Sequence, residues 1–242
     1  MDLYPIDLVL AAALAWTTIF LGYLPTRQIV APIFRRHILA AALAWIVVGL
    51  TSPPQIIHYD LLLAVLCLIS WHQLRHDHRL AGKLWLIAAS GLGISLGVVL
   101  ILAVTPQATP LTLSIFAHTG RLLAIYLGGA VTGLAYALHV FTRREATHEG
   151  ISPRLVLRSA QLLFLLTLAR AASLFGLLLT SPLPLGIVPI TLGITLFLLA
   201  PSLAWAALQR SHSPAPSRAG PPLLALVILQ LLGETTSRWL GW

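Results

Sequence analysis

Residues 111–141 read LTLSIFAHTGRLLAIYLGGAVTGLAYALHVF. The stretch is apolar enough to cross a bilayer, yet it carries His118, Arg121 and His139, with Gly128, Gly129 and Gly133 in its second half. A charge inside such a segment is costly and marks a functional or pairing role. The rest of the chain reads as the bundle around this helix and the source of partners for its polar groups.

Composition supports that reading. The 242-residue chain is 58% hydrophobic and 9% charged, against about 25% charged residues in soluble domains. Mean hydropathy is +0.90. Only helices or closed barrels satisfy every backbone group in lipid, and the apolar runs here are continuous rather than alternating, which excludes a barrel. The expected fold is all-α: a polytopic integral membrane protein built as one bundle of about eight transmembrane helices. The spans fall near 8–24, 38–52, 58–72, 84–104, 111–141, 155–180, 187–208 and 223–240, in a single domain covering 1–242. The third is short for a span, which usually needs about 20 apolar residues. Pro189 and Pro201 are expected kinks in the seventh, and Gly91, Gly93 and Gly97 in the fourth invite close packing. No internal repeat is evident.

The formal net charge of +8 would point to nucleic acid in a soluble protein. Here the basic residues sit in the loops, as the positive-inside rule requires. With the N-terminus outside, Arg27, Arg35, Arg36, Arg75, Arg79, Lys83, Arg143, Arg144, Arg154, Arg158, Arg210 and Arg218 all reach the cytoplasmic side. Asp2, Asp7 and Asp60 reach the outer side. That alternation places both termini outside, in the inner (cytoplasmic) membrane, with lipid and not nucleic acid as the surrounding partner. The acidic opening MDLYPID lacks the positive n-region of a secretory signal, so the first span is read as retained. Cys67, the single cysteine, reads as a small core residue.

Arg121, Arg170, Arg238 and Glu234 remain inside the spans. At ~1.5 Å per residue, Arg121 and Arg170 lie roughly 15 Å and Glu234 about 9 Å from the outer ends of their helices. His118 stands one turn from Arg121, and His58 and Asp60 open the third span at the same side. Glu234 can pair with Arg238 four residues on, or the charges can converge on a pocket. Such a pocket suits a quinone, with Arg121, His118, Arg170 and His58 holding its oxygens and Glu234 or Asp60 exchanging protons. Alternatives are a small-anion transporter or channel, a purely structural subunit, and a b-type cytochrome using His58 with His118 or His72 with His139 for haem b. His76-Asp77-His78 reads as a solvated loop rather than a metal site, and no nucleotide-binding or hydrolase signature is present.

Two segments carry a resemblance. LGGAVTGLAYALHVF at Leu127 to Phe141 resembles the glycine-rich span in the membrane-anchor subunits of dimethyl-sulfoxide, polysulfide and nitrite reductase-type complexes. LLGETTSRWLGW at Leu231 to Trp242 resembles their closing Gly-Glu-x-x-x-Arg pattern. The resemblance implies a haem-free, non-catalytic or quinol-oxidising subunit. It would bind menaquinone or ubiquinone near the outer face and pass electrons to an iron–sulfur subunit that feeds a molybdenum-containing catalytic subunit. Carried over onto this chain, Glu234 and Arg238 match the closing motif, and Gly128, Gly129 and Gly133 match the glycine span. The chain departs from the pattern in its very short outer loops; its basic cytoplasmic loops offer a second docking surface.

Overall fold

The computed structural model describes residues 4–22, 32–51, 57–104, 111–142, 152–180, 187–212 and 216–239. Side chains at 4–9, 11, 33, 96–104, 111–125, 177–180, 187–190, 192, 194–197, 216–217 and 236–239 fall outside that description. The described residues form eight α-helices and one short 3-10 turn, and no strand. We number them α1 (Tyr4–Gly22), α2 (Pro32–Thr51), α3 (Ile57–Arg75), α4 (Arg79–Val104), α5 (Leu111–Phe141), α6 (Pro153–Thr180), α7 (Ile187–Ser211) and α8 (Gly220–Trp239). The 3-10 turn, Pro216–Ala219, leads into α8.

Three stretches among the described residues are long and apolar enough to cross a membrane: Phe34–Thr51, Ile57–Arg75 and Pro153–Gly176. The sequence led us to expect eight. The described parts of α1, α5 and α8 give shorter apolar stretches, Ala12–Gly22, Tyr126–Phe141 and Gly220–Thr235. The third span, short on sequence grounds, is one of the three, because α3 runs on through His72 to Arg75. Leu43, Val47, Leu50, Leu62, Val65, Leu165 and Leu232 point outward. A belt of exposed aliphatic side chains over a helical bundle is the surface that lipid covers.

The helices pack as two four-membered rings. In the first, α1 packs on α2, α2 on α3, α3 on α4 and α4 back on α1. In the second, α5 packs on α6, α6 on α7, α7 on α8 and α8 back on α5. Consecutive helices are neighbours in both, as in up-down bundles with short connections. The rings share a seam where α1 lies along α5 and, less extensively, α8. No repeat is legible in the sequence, yet the same four-helix plan is used twice.

The seam is made of small residues. A Cβ added at Gly129 would meet the Ala12 backbone at 3.0 Å, and one at Gly133 would meet the Thr17 nitrogen at 2.6 Å and the Ala13 oxygen at 2.9 Å. The Gly129-x-x-x-Gly133 spacing thus lets two helix backbones touch, the usual means of holding helices together where water gives no hydrophobic drive. The hydroxyls nearby are satisfied within their own helices: Thr17 donates to the Ala13 carbonyl at 2.8 Å and Thr132 to the Gly128 carbonyl at 2.9 Å. Gly93 packs likewise, since a Cβ added there would lie 2.9 Å from the Ala15 Cβ, whereas one added at Gly91 would meet nothing within 4 Å. The expectation of close packing at Gly91 is therefore corrected.

At the basic end the rings are locked by side chains. Phe34 meets Phe141 edge-on with ring centroids 5.8 Å apart, and His37 Nδ1 hydrogen-bonds the Tyr136 hydroxyl at 2.7 Å. The larger buried cluster runs through this end, joining Leu21, Leu74 and Leu86 of the first ring to Leu134 and Leu138 of α5. His76-Asp77-His78 forms the tight α3–α4 turn. Asp77 has φ 60°, the left-handed geometry that ends many helices, and the Ser70 hydroxyl ties the hairpin by donating to the Gly82 carbonyl at 2.8 Å. Ser152 Oγ accepts the Leu155 amide at 3.2 Å, so Ser152-Pro153 is an N-cap followed by a first-turn proline. Pro201 lies inside α7, where it removes one backbone hydrogen bond.

A bulky residue at the seam is expected to part the rings. Gly133→Leu should lower the thermal midpoint in detergent by an amount equivalent to at least the ~1–3 kcal/mol of core overpacking. Gly91→Ala should leave the midpoint unchanged or raise it slightly, since Ala exceeds Gly in helix propensity by about 1 kcal/mol. Equal midpoints for the two variants would contradict the seam.

Candidate functional site

The core of the second ring contains one deeply buried ion pair. Arg170 on α6 and Glu234 on α8 are each 2% exposed. Arg170 Nη2 lies 2.6 Å from Glu234 Oε1, and Arg170 Nε donates to the same oxygen at 2.7 Å. Arg170 Nη1 also donates to the Ser173 hydroxyl at 3.3 Å, and that hydroxyl donates to the Arg170 carbonyl at 2.8 Å. Two nitrogens of the fork thus bind one carboxylate oxygen, and a third is held on its own helix.

Helices α6 and α8 are diagonal in the ring, each flanked by α5 and α7. Two long side chains reach across the interior to meet. They pass beside α5 at Gly128, where an added Cβ would collide with the Glu234 carboxyl group. The absent side chain at Gly128 is the seat of the carboxylate. This role differs from that of Gly129 and Gly133, which face α1.

The surroundings are polar on two turns. Thr167, buried, donates to the Phe164 carbonyl at 2.7 Å. Gln230 sits one turn before Glu234 on the same stripe of α8 and is 1% exposed. Its Oε1 has no hydrogen-bond partner among the described residues, and a buried acceptor left so costs about 1–3 kcal/mol. Trp45 Nε1 in the first ring is the other such atom.

The structure brings together Arg170, Glu234 and Gly128 of the residues singled out from sequence. Glu234 pairs with Arg170, 64 residues away in the chain; the side chain of Arg238, the intrahelical candidate, lies outside the described residues. So do the side chains of His118 and Arg121. The α5 backbone places position 121 two turns before Gly128 on one stripe, about 10 Å along the axis. Asp60 is buried in the first ring, on α3, where its Cβ would lie 3.2 Å from one added at Gly49 of α2. His58, two residues before it, is exposed. The two carboxylates offered as proton exchangers therefore belong to different rings. Of the histidines weighed for haem, His139 is engaged with the Gly220 carbonyl at 3.1 Å, and His72 lies against His76 with centroids 4.6 Å apart.

Sequence reasoning missed Ser173 and Gln230. The signal was present in helix periodicity: 173 follows Arg170 by one turn, and 230 precedes Glu234 by one turn. No family model, curated protein or solved structure matches the chain.

Removing one partner of this pair is expected to cost about 3–5 kcal/mol, because a charge is left buried alone. Glu234→Gln should therefore lower the thermal midpoint markedly, and Gly128→Leu should do the same by evicting the carboxylate. The double replacement Arg170→Met with Glu234→Leu should recover most of the loss, since apolar substitutes for a buried pair are often neutral or better. A double variant no more stable than Glu234→Gln would show that the pair is not an isolated electrostatic unit.

Proposed function

We propose that this chain is the quinol-handling membrane subunit of a redox complex, a multi-pass protein of the inner membrane with eight spans and both termini outside. The observation that carries the reading is the Arg170–Glu234 pair, buried between diagonal helices and seated on Gly128. Glu234 and Gly128 are also the positions that match the closing and glycine-rich motifs of the reductase anchors. Intramembrane charges of this kind mark ligand and proton pathways.

In this reading the quinone ring, menaquinone or ubiquinone, lies near the pair. Quinol gives up two electrons and two protons. The electrons pass to an iron–sulfur partner subunit and from there to its catalytic subunit. An ionised carboxylate is acceptor-only, so Glu234 can take the two quinol protons in turn, releasing the first before accepting the second, while Asp60 lies in the other ring. Arg170 and Arg121 can donate to the quinone oxygens, with His118 and His58 at the outer side. Gln230 Oε1 supplies a further acceptor one turn from Glu234.

The test is native mass spectrometry of the protein extracted from its own membrane in mild detergent, coupled to quinol-driven turnover. An iron–sulfur subunit and a bound quinone are expected to travel with it. The Arg170→Met, Glu234→Leu double variant should keep the partner subunit but lose the quinone and at least 99% of turnover, roughly 3 kcal/mol of transition-state stabilisation. Arg121→Leu should also abolish turnover. A chain that travels alone without quinone, or wild-type turnover in both variants, refutes the proposal.

A further inference from the structure

A second site lies far from the ion pair, at the basic end of the bundle. A cavity of about 440 Å³ opens where the two rings meet, between the last turns of α1, the α5 segment near Leu134 and the first turns of α6. That volume is within the ~300–1,000 Å³ range of ligand sites. Arg158 on its rim is about 18 Å along α6 from Arg170, so the cavity does not belong to the ion-pair site.

Its lining is divided by chemistry. Ser152, Arg154, Arg158 and Ser159 form the polar side. Phe20, Leu134 and Leu162 form the apolar wall. Arg154 and Arg158 are spaced one turn apart, so both guanidinium groups serve one patch. Neither has a salt-bridge partner among the described residues.

The polar side gives way to the apolar side within one helical turn. Along α6, Arg154 and Arg158 are followed at the same spacing by Leu162, and Leu165 continues the exposed apolar surface. Leu162 lines the cavity and is 43% exposed, so the cavity wall runs on into the lipid-facing surface. A free anion would use the arginines and leave this wall unused. An amphiphile uses both.

We infer that this cavity is a specific site for an anionic phospholipid, its phosphate held by Arg154 and Arg158 with hydrogen bonds from Ser159, and an acyl chain laid along Phe20 and Leu162. Arginine forks suit phosphate oxygens, and basic pockets between membrane helices at the cytoplasmic side bind anionic headgroups. The lipid fills the cavity between α1 and α6 and so caulks the seam at its basic end. The inference is independent of what occupies the ion-pair site.

The test uses the full chain, delipidated in mild detergent and titrated with phosphatidylglycerol, with cardiolipin, with phosphatidylcholine and with inorganic phosphate, and read by native mass spectrometry. Wild type should hold one equivalent of an anionic lipid at least tenfold more tightly than phosphatidylcholine. Arg154→Gln with Arg158→Gln should lose that preference. Arg75→Gln with Arg79→Gln, which removes the same charge from another corner of the basic end, should keep affinity within twofold. All four arginines are exposed, so both double variants should retain the wild-type thermal midpoint, which is measured alongside. Equal losses in both double variants would reduce the effect to general surface charge and overturn the site. Displacement of the lipid by millimolar inorganic phosphate would make the ligand a free phosphate and overturn the lipid assignment.

Discussion

A buried arginine in a lipid-surrounded bundle has to be neutralised, and much of the second ring is arranged to neutralise this one. Arg170 lies on a helix that does not pack directly along α8, so the carboxylate must come from across the ring. That requires two long side chains, a gap in the flank of α5, and a hydroxyl to accept from the third guanidinium nitrogen. Glu234, Gly128 and Ser173 meet those three needs. Shortening or filling any of them leaves a charge in a medium where isolated charges are costly. The geometry also sets the register of α8 against α6, because the carboxylate finds its partner at only one rotation of the helix.

Small residues do for the whole molecule what the ion pair does for one ring. Between α1 and α5 the backbones come into contact, and dispersion over that length takes the place of hydrophobic burial. The seam is bordered at the basic end by the α1, α5 and α6 residues that line the cavity. Phe34, Phe141, His37 and Tyr136 close one side of the basic end with aromatic bulk and a hydrogen bond. The other side is left as the arginine-rimmed cavity. The seam is thus closed by side chains on one flank and left open to a ligand on the other.

Helical class and the membrane character were legible because composition and run length report them directly. The extent of α5 was legible as well, since no proline interrupts 111–141 and Pro110 precedes it. The pairing of Arg170 with Glu234 was not. Sequence showed two charges at comparable depths, but an i, i+4 partner for Glu234 existed in Arg238, and choosing between them needs the ring diagonal. The three glycines read as one packing motif, although Gly128 faces a carboxylate and its neighbours face a backbone. Gly91 looked like Gly93, and only the helix rotation separates an open face from a contact. The doubled four-helix plan left no sequence trace because apolar side chains can be exchanged freely in such bundles while the order of packing is kept.

The distance between the charged partners along the chain has a bearing on biogenesis. Arg170 and Glu234 are 64 residues apart, so during synthesis at about 5–20 residues per second the arginine leaves the ribosome several seconds before its carboxylate exists. For that interval α6 carries an unneutralised cation whose insertion costs about 2.5–3.5 kcal/mol at a helix centre. The apolar length of Pro153–Gly176 is what can hold the segment in the membrane meanwhile. Arrival of α8 then completes the electrostatics of the ring, which makes its docking the step that neutralises Arg170.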